Sequence, residues 1–255
     1  MISQLIVLTA AHCVTDGKQF VRVGSTSMKT GGSRHKVIKA LRHENYSLNP
    51  TSNDIALLRV DPPIVFDKTT PITKAPVQLI ESNLKVAYGI DAQAIGWGAS
   101  RERREGDYTI GNIWHELKSI FKSYDMGHYF SAELRCTTLK VVTEDMCRQK
   151  FQRSMENQIC AYGEAKDTCR GDSGGPLMVQ ERQAGIVSWG GPTCGTQHIP
   201  GGYVAVADYR DWIDEKVEIL SAFEGPRRFD WLRKKWTKIN PFGSNGIFQT
   251  LKKVG

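Results

Sequence analysis

No run in the sequence approaches the roughly 18 uninterrupted apolar residues that a membrane-spanning helix requires, which excludes a helical integral membrane protein. There is no CxxC pair: the six cysteines, at positions 13, 136, 147, 160, 169 and 194, are scattered. That spacing argues against a zinc ribbon or a thioredoxin-type redox site. Net charge is almost absent from the main body. Of the net +7, the stretch 221–255 holds eight basic residues against two acids, Glu224 and Asp230, which leaves residues 1–220 nearly neutral. A nucleic-acid surface spread over the main body is therefore not expected, and the basic balance belongs to an appendage. Collagen-like repeats, coiled-coil heptads and wholesale disorder are also missing; 40% apolar and 24% charged residues over 255 positions are enough for a buried core in one large or two small domains.

What is present points to strands. The 24 glycines suit tight turns. Up to about residue 98 the chain consists of short apolar runs divided by Gly, Pro, Asn and Asp, as in Phe20–Val23, Ile55–Val60 and Ala92–Ile95. The style returns in Pro176–Val179, Gly185–Trp189 and Tyr203–Val206, and predicts an all-β barrel or sandwich. Met1–Ala11 has an apolar stretch marginal for a signal peptide and no basic lead, and reads better as a buried strand running into a turn. Two stretches read as helix. From Asp208, a candidate N-cap, Tyr209, Trp212, Ile213, Val217 and Leu220 fall at helical spacing. Between 101 and 130, Ile113, Trp114, Leu117, Ile120, Phe121 and Tyr124 mark one face of a second helix. Scattered cysteines in a Gly-rich chain suggest disulfides and an oxidising compartment, and Asn45-Tyr46-Ser47 is a glycosylation acceptor triplet.

Three stretches carry chemistry: Leu8-Thr9-Ala10-Ala11-His12-Cys13, Asn53-Asp54-Ile55-Ala56-Leu57-Leu58, and Asp167-Thr168-Cys169-Arg170-Gly171-Asp172-Ser173-Gly174-Gly175-Pro176. Together they resemble the trypsin-like (chymotrypsin-fold) serine proteases, each bearing one member of a His, Asp, Ser triad in that family's chain order. Gly96-Trp97-Gly98 and Ser188-Trp189-Gly190 also match, and the resemblance covers roughly residues 4–98 and 134–217. It implies two antiparallel six-stranded-type β-barrels with a C-terminal helix, here with a helical insertion. A serine hydroxyl is a weak nucleophile near neutral pH and needs an adjacent base. His12 is the implied base for Ser173, and Asp54 the group that orients the imidazole and stabilises its cation. The Gly171 and Ser173 backbone N–H groups are the implied oxyanion hole. Ser188, Trp189 and Gly190 resemble the edge that pairs with an extended substrate backbone. Asp167, six residues before Ser173, resembles the acid at the floor of the primary specificity pocket, with Gly190 and Gly201 keeping its walls open; this implies cleavage after Arg or Lys. No cofactor is implied, and Ser25–Gly32, where calcium-binding relatives carry acids, has no carboxylate.

The resemblance pairs Cys147 with Cys160 and Cys169 with Cys194, loops worth about 3 kcal/mol each by chain entropy. It leaves Cys13 and Cys136 without partners. Only eleven residues precede His12, fewer than the family's lead-in, and no stretch resembles the Ile-Val-Gly-Gly end that activation frees. The expectation is an N-terminally truncated domain whose first barrel is incomplete. In active relatives the freed amine pairs with the carboxylate before the nucleophile, here Asp172, so this chain as written is expected to be zymogen-like. The expected division is a protease domain at 1–217, with an insertion at 99–133, and a basic extension at 218–255. The implied function is that of a secreted serine endopeptidase acting on protein or peptide substrates and met by protein inhibitors. The alternative is an inactive homologue that binds or regulates through its insertion or tail. In the tail, Phe229, Leu232, Trp236 and Ile239 interleave with Arg233, Lys234, Lys235 and Lys238, a pattern suited to an anionic membrane or a glycosaminoglycan.

Overall fold

The computed structural model describes residues 1–67, 74–102, 128–196 and 198–223. The helix expected at 113–124 and the amphipathic stretch at 229–239 lie outside the described residues. The chain divides into two compact units, and the strands and helices below are those of the unit Met1–Ser221, the last helix ending one residue beyond it.

The first sheet contains four antiparallel strands, β1 (Ile6–Thr9), β2 (Phe20–Val23), β3 (Ser33–Arg42) and β6 (Ala56–Asp61), in the spatial order β1-β6-β3-β2. A short hairpin, β4 (Ser47–Leu48) with β5 (Thr51–Ser52), sits between β3 and β6. β6 is the central strand, and all its residues but Arg59 and Asp61 are buried, as befits a strand paired on both edges. β1 alternates buried and half-buried residues, so the N-terminal stretch forms a half-buried strand that runs into a 3-10 turn at Ala11–Cys13. No pairing among the described residues joins β1 to β2, so this barrel is open, as expected.

The second sheet closes. β8 (Asp91–Gly96), β11 (Arg135–Val142), β12 (Gln158–Tyr162), β15 (Gly201–Ala205), β14 (Arg182–Trp189) and β13 (Pro176–Val179) pair in that order, and β13 returns to β8 to form a six-stranded barrel. β7 (Gln78–Leu79) adds in parallel to β14. β9 (Ala99–Glu102) and β10 (His128–Phe130) pair as the two sides of the insertion. β8 alternates exposed and buried residues over Asp91–Ala94, the period-two signature of a strand with one face on a core. Closure leaves no long edge to protect.

Among the described residues there are two α-helices, α1 (Glu144–Phe151) and α2 (Arg210–Ala222). Tyr209, Ile213 and Leu220 are buried, with Trp212 and Val217 packed beside them, as the helical spacing predicts. The N-terminus differs from expectation. Asp208 lies inside a 3-10 turn, Val206–Tyr209, that leads into α2, so it does not cap the helix. At the other end, Arg59 Nη1 from β6 donates to the Leu220 carbonyl at 2.7 Å, which pins the last turn of α2 to the first sheet. A continuous core joins Ile6, Leu8, Ile55 and Leu57 to Leu139, Leu177, Ile186 and Tyr203 across both sheets. Each such side chain contributes roughly 1.5–3 kcal/mol by burial.

Candidate active site

His12 sits in the 3-10 turn after β1, and Asp54 in the loop before β6. The pairing of β1 with β6 sets these two loops side by side, with Thr9 opposite Ala56. Asp54 is buried and locked to His12 twice: Oδ1 accepts the His12 backbone N–H at 2.9 Å, and Oδ2 lies 2.7 Å from His12 Nδ1. Asn53 fixes the loop from the other side. In a left-handed conformation (φ 49°), it accepts the Tyr209 hydroxyl at 2.8 Å and donates to the Asn45 carbonyl at 2.9 Å. Burial alone pushes the Asp54 carboxyl up, but bonds from His12 and Ser188 more than offset this and hold it below its usual range. Chiefly through the Asp54 bond, and secondarily through the Cys13 thiol, the His12 imidazole is held well above its ordinary value.

Ser188 supplies a contact the sequence did not reveal. It was expected at the substrate edge, yet its hydroxyl donates to Asp54 Oδ2 at 2.7 Å. The residues are 134 positions apart and meet only because β14 of the closed barrel runs beside the first sheet. The motif Ser188-Trp189-Gly190 was the available signal, but nothing in it says where the hydroxyl points.

Ser173 is exposed on the loop before β13. Its Oγ is not hydrogen-bonded to His12, as is common where no substrate tightens the geometry. The loop itself is seated against the His12 turn. A Cβ on Gly174 would lie 2.3 Å from Thr9 Oγ1, 3.1 Å from Cys13 Sγ and 3.2 Å from the Ala10 nitrogen. With φ +77° and no room for a side chain, position 174 requires glycine. Bonds from Gly174 N to the Val187 carbonyl and from Val187 N to the Gly175 carbonyl, both 2.9 Å, tie the loop to β14. The Gly171 and Ser173 amides, by contrast, donate to no acceptor among the described residues, so one loop presents two free N–H groups.

Asp172 holds the loop from beneath. Its Oδ1 accepts Gly98 N at 2.8 Å and its Oδ2 accepts Cys169 N at 2.9 Å. A Cβ on Gly98 would stand 2.3 Å from the carboxylate, which explains a glycine there. Asp172 and Asp167 both line a cavity of about 400 Å³, together with Gly96, Gly98, Cys136 and Gly195. Burial pushes the Asp167 carboxyl up to about 6, and a long bond from Gly195 N, 3.4 Å, opposes this only in part. Gly201 borders Asp167, since a Cβ there would be 3.5 Å from Oδ1, whereas a Cβ on Gly190 would meet open space; neither glycine lines this cavity. Disulfides Cys147–Cys160 and Cys169–Cys194 are formed, and Cys13 and Cys136 are free thiols. Among the described residues no group of three or more His, Cys, Asp or Glu is placed to hold a metal ion.

A family model described as trypsin matches residues 1–115 and 121–213. The chain belongs to the trypsin family. It is 35% identical over 216 residues to trypsin epsilon of Drosophila erecta, covering 82% of this chain and 73% of that protein. It is 31% identical over 232 residues to a trypsin of Phaedon cochleariae, covering 86% of this chain and 78% of that one. Among solved structures it resembles neuropsin, a serine protease expressed in the limbic system of mouse brain, with a TM-score of 0.70 and 28% identity over 85% of this chain and 86% of that one. Trypsin-family membership makes this a chymotrypsin-like fold of the serine endopeptidase family, and the loops just described are those that carry the three motifs of the sequence.

Proposed function

We propose that the protein hydrolyses peptide bonds on the carboxyl side of Arg or Lys, with Ser173 as nucleophile, His12 as general base and then acid, and Asp54 as the group that orients it. The observation that carries this is the double lock of Asp54 on His12, with the Ser173 loop packed on the same turn. With Nδ1 committed to Asp54, Nε2 is the nitrogen left to take the Ser173 proton as Oγ attacks the substrate carbonyl carbon. The oxygen of that carbonyl becomes an anion, and the free Gly171 and Ser173 N–H groups stabilise it. Collapse expels the amine, which takes its proton from His12. Water then repeats the cycle on the acyl-enzyme and releases Ser173. The Asp167 carboxylate is the partner of the Arg or Lys side chain, and the backbone of Ser188–Gly190 is the edge against which the substrate strand pairs.

The Asp172 carboxylate faces the cavity under the loop without a cation partner among the described residues. A primary amine docked there, as family resemblance implies, would complete the loop's support; the Gly171 and Ser173 N–H groups are free without it, so we propose that the chain acts as it stands, against the zymogen-like expectation. Two disulfides fit a secreted protein, and membership of the trypsin family fits protein substrates and protein inhibitors. The test is covalent. An arginine diphenyl phosphonate should add to the full chain once, at Ser173, and not to the Ser173→Ala variant, while the leucine analogue should react at least tenfold more slowly. Absence of any adduct at Ser173 contradicts the proposal.

A further inference from the structure

The Trp189 edge carries a charge that the chemistry above does not use. The indole is fixed by a 2.7 Å bond from Nε1 to Gln158 Oε1 and by packing on Gly202, where a Cβ would come within 2.0 Å of it. Phe151, the last residue of α1, stands edge-on to it, with centroids 4.8 Å apart at 78°. Gln152 then turns the chain through a left-handed conformation (φ 49°), and the guanidinium of Arg153 lands 4.2 Å from the indole centroid. Arg153 Nη2 also donates to the Thr51 carbonyl, three residues before Asp54. The cation thus bridges the Asp54 loop and the Trp189 edge.

The guanidinium is not satisfied where it lies. Nε is buried and has no acceptor among the described residues. A cavity of about 190 Å³ opens beside it, lined also by Ser52, Asn53, Gln158 and Tyr209. Glu156 lines the same cavity but forms no ion pair with Arg153. Arg153 as a whole is half-exposed, and burial disfavours its charge and pulls its pKa down, so a carboxylate brought to the accessible side of the fork relieves a desolvated cation.

We propose that Arg153 determines specificity: it favours substrates with Asp or Glu, and disfavours Lys or Arg, at the third or fourth residue counted back from the cleaved bond. The inference rests on the proposed cleavage site and on substrate pairing along Ser188–Gly190. In an extended strand successive side chains point to opposite faces, so one alternating set faces Trp189 and Arg153. A carboxylate in that set can meet the guanidinium as a two-point pair, whereas a basic side chain meets a like charge.

The test uses tetrapeptidyl arginine phosphonates that carry Asp, Asn or Lys at each of those two positions. The rate of Ser173 labelling is read by intact mass and divided by the rate with the unextended arginine phosphonate, so that a general loss of reactivity cancels. In the full chain, labelling should follow Asp > Asn > Lys at one of the two positions, with about a tenfold span. Arg153→Gln should compress the span to within about twofold, and Arg153→Glu should reverse its order. Equal rates in the unmodified chain, or a preference that survives Arg153→Gln, overturns the role of Arg153 and leaves the cleavage reading intact. Failure of every probe to label Ser173 overturns the cleavage reading, and this inference with it.

Discussion

Ser188 Oγ and His12 Nδ1 converge on one oxygen, Oδ2 of Asp54, each at 2.7 Å. The shared acceptor fixes the rotation of a buried carboxylate whose other oxygen is already taken by the His12 backbone. A hydrogen bond to a charged group contributes about 1.5–3 kcal/mol, so Ser188→Ala should lower kcat by roughly tenfold or more. The hydroxyl positions a carboxylate and not the substrate, so KM should change less than kcat. Ser188→Thr, which keeps a hydroxyl, should retain most of the activity. Steady-state kinetics on an arginyl ester separate the cases; a rise in KM alone would assign Ser188 to substrate pairing only.

Asp54→Asn tests the electrostatic half of the same arrangement. In the folded protein His12 is held above its ordinary pKa, chiefly by the Asp54 bond, and a general base must be neutral to act. The acid limb of kcat/KM should therefore lie above pH 6.5, and in Asp54→Asn it should move down towards or below that value. The rate at the plateau should drop by about 10⁴, the loss known for this triad when the imidazole is left in the wrong tautomer. The pair also links folding to pH. The raised His12 value contributes stability that is present below about pH 6.5 and lost as pH rises through the folded value. The depressed Asp54 value contributes stability that is present above about pH 4 and lost as pH falls through the folded value. The difference in melting temperature between the two proteins should be largest between about pH 4 and pH 6.5 and should shrink to either side of that window.

Much of this was legible in the residues, for local reasons. β8 shows its alternation directly in Asp91–Ala94, the apolar run Ile6–Leu8 marks β1 as a strand, and the α2 face at Tyr209, Ile213 and Leu220 follows from spacing alone. The open first sheet was expected from the short stretch before His12, and the two disulfides from the family's pattern. What stayed hidden depends on closure of the second barrel. The Ser188 bond to Asp54, the Asp172 bonds to Gly98 and Cys169, and the stack of Arg153 on Trp189 join residues that no periodicity relates. The error at Asp208 has another origin. An acid before an apolar periodic run has the composition of a cap, but here a 3-10 turn starts the winding four residues early, so the acid lies within the turn.

The two free thiols should differ in reactivity. Cys136 is exposed and lines the 400 Å³ cavity, whereas Cys13 is half-buried between His12 and Gly174. Thiolate formation and access govern alkylation, so iodoacetamide should modify Cys136 first. Without reductant the native chain should take up two adducts, and after unfolding and reduction six. A native count other than two means a different pairing of the cysteines. Because Cys13 Sγ lies against the nucleophile loop, modification of Cys136 should precede any fall in Ser173 labelling that follows from modification of Cys13.

Asp167 is placed to trade stability for specificity. Burial raises its carboxyl to about 6, above the value near 3.9 of a free aspartate. The folded protein therefore binds more protons than the unfolded chain between about pH 4 and pH 6, and stability falls as pH rises through that window. Asp167→Asn removes the buried charge and should stabilise the protein at pH 7, by about 2 kcal/mol once partial exposure is allowed for, with little effect at pH 3. The same variant should lose the preference for arginyl over neutral substrates, because an amide offers no charge to a guanidinium. In the unmodified protein the ratio of kcat/KM for arginyl and leucyl substrates should fall as pH drops below about 6, where the carboxyl becomes neutral. Taking the ratio cancels the titration of His12, which acts on both substrates alike. A ratio that stays flat across pH 4–8, with Asp167→Asn no more stable at neutral pH, would mean that another group receives the substrate cation.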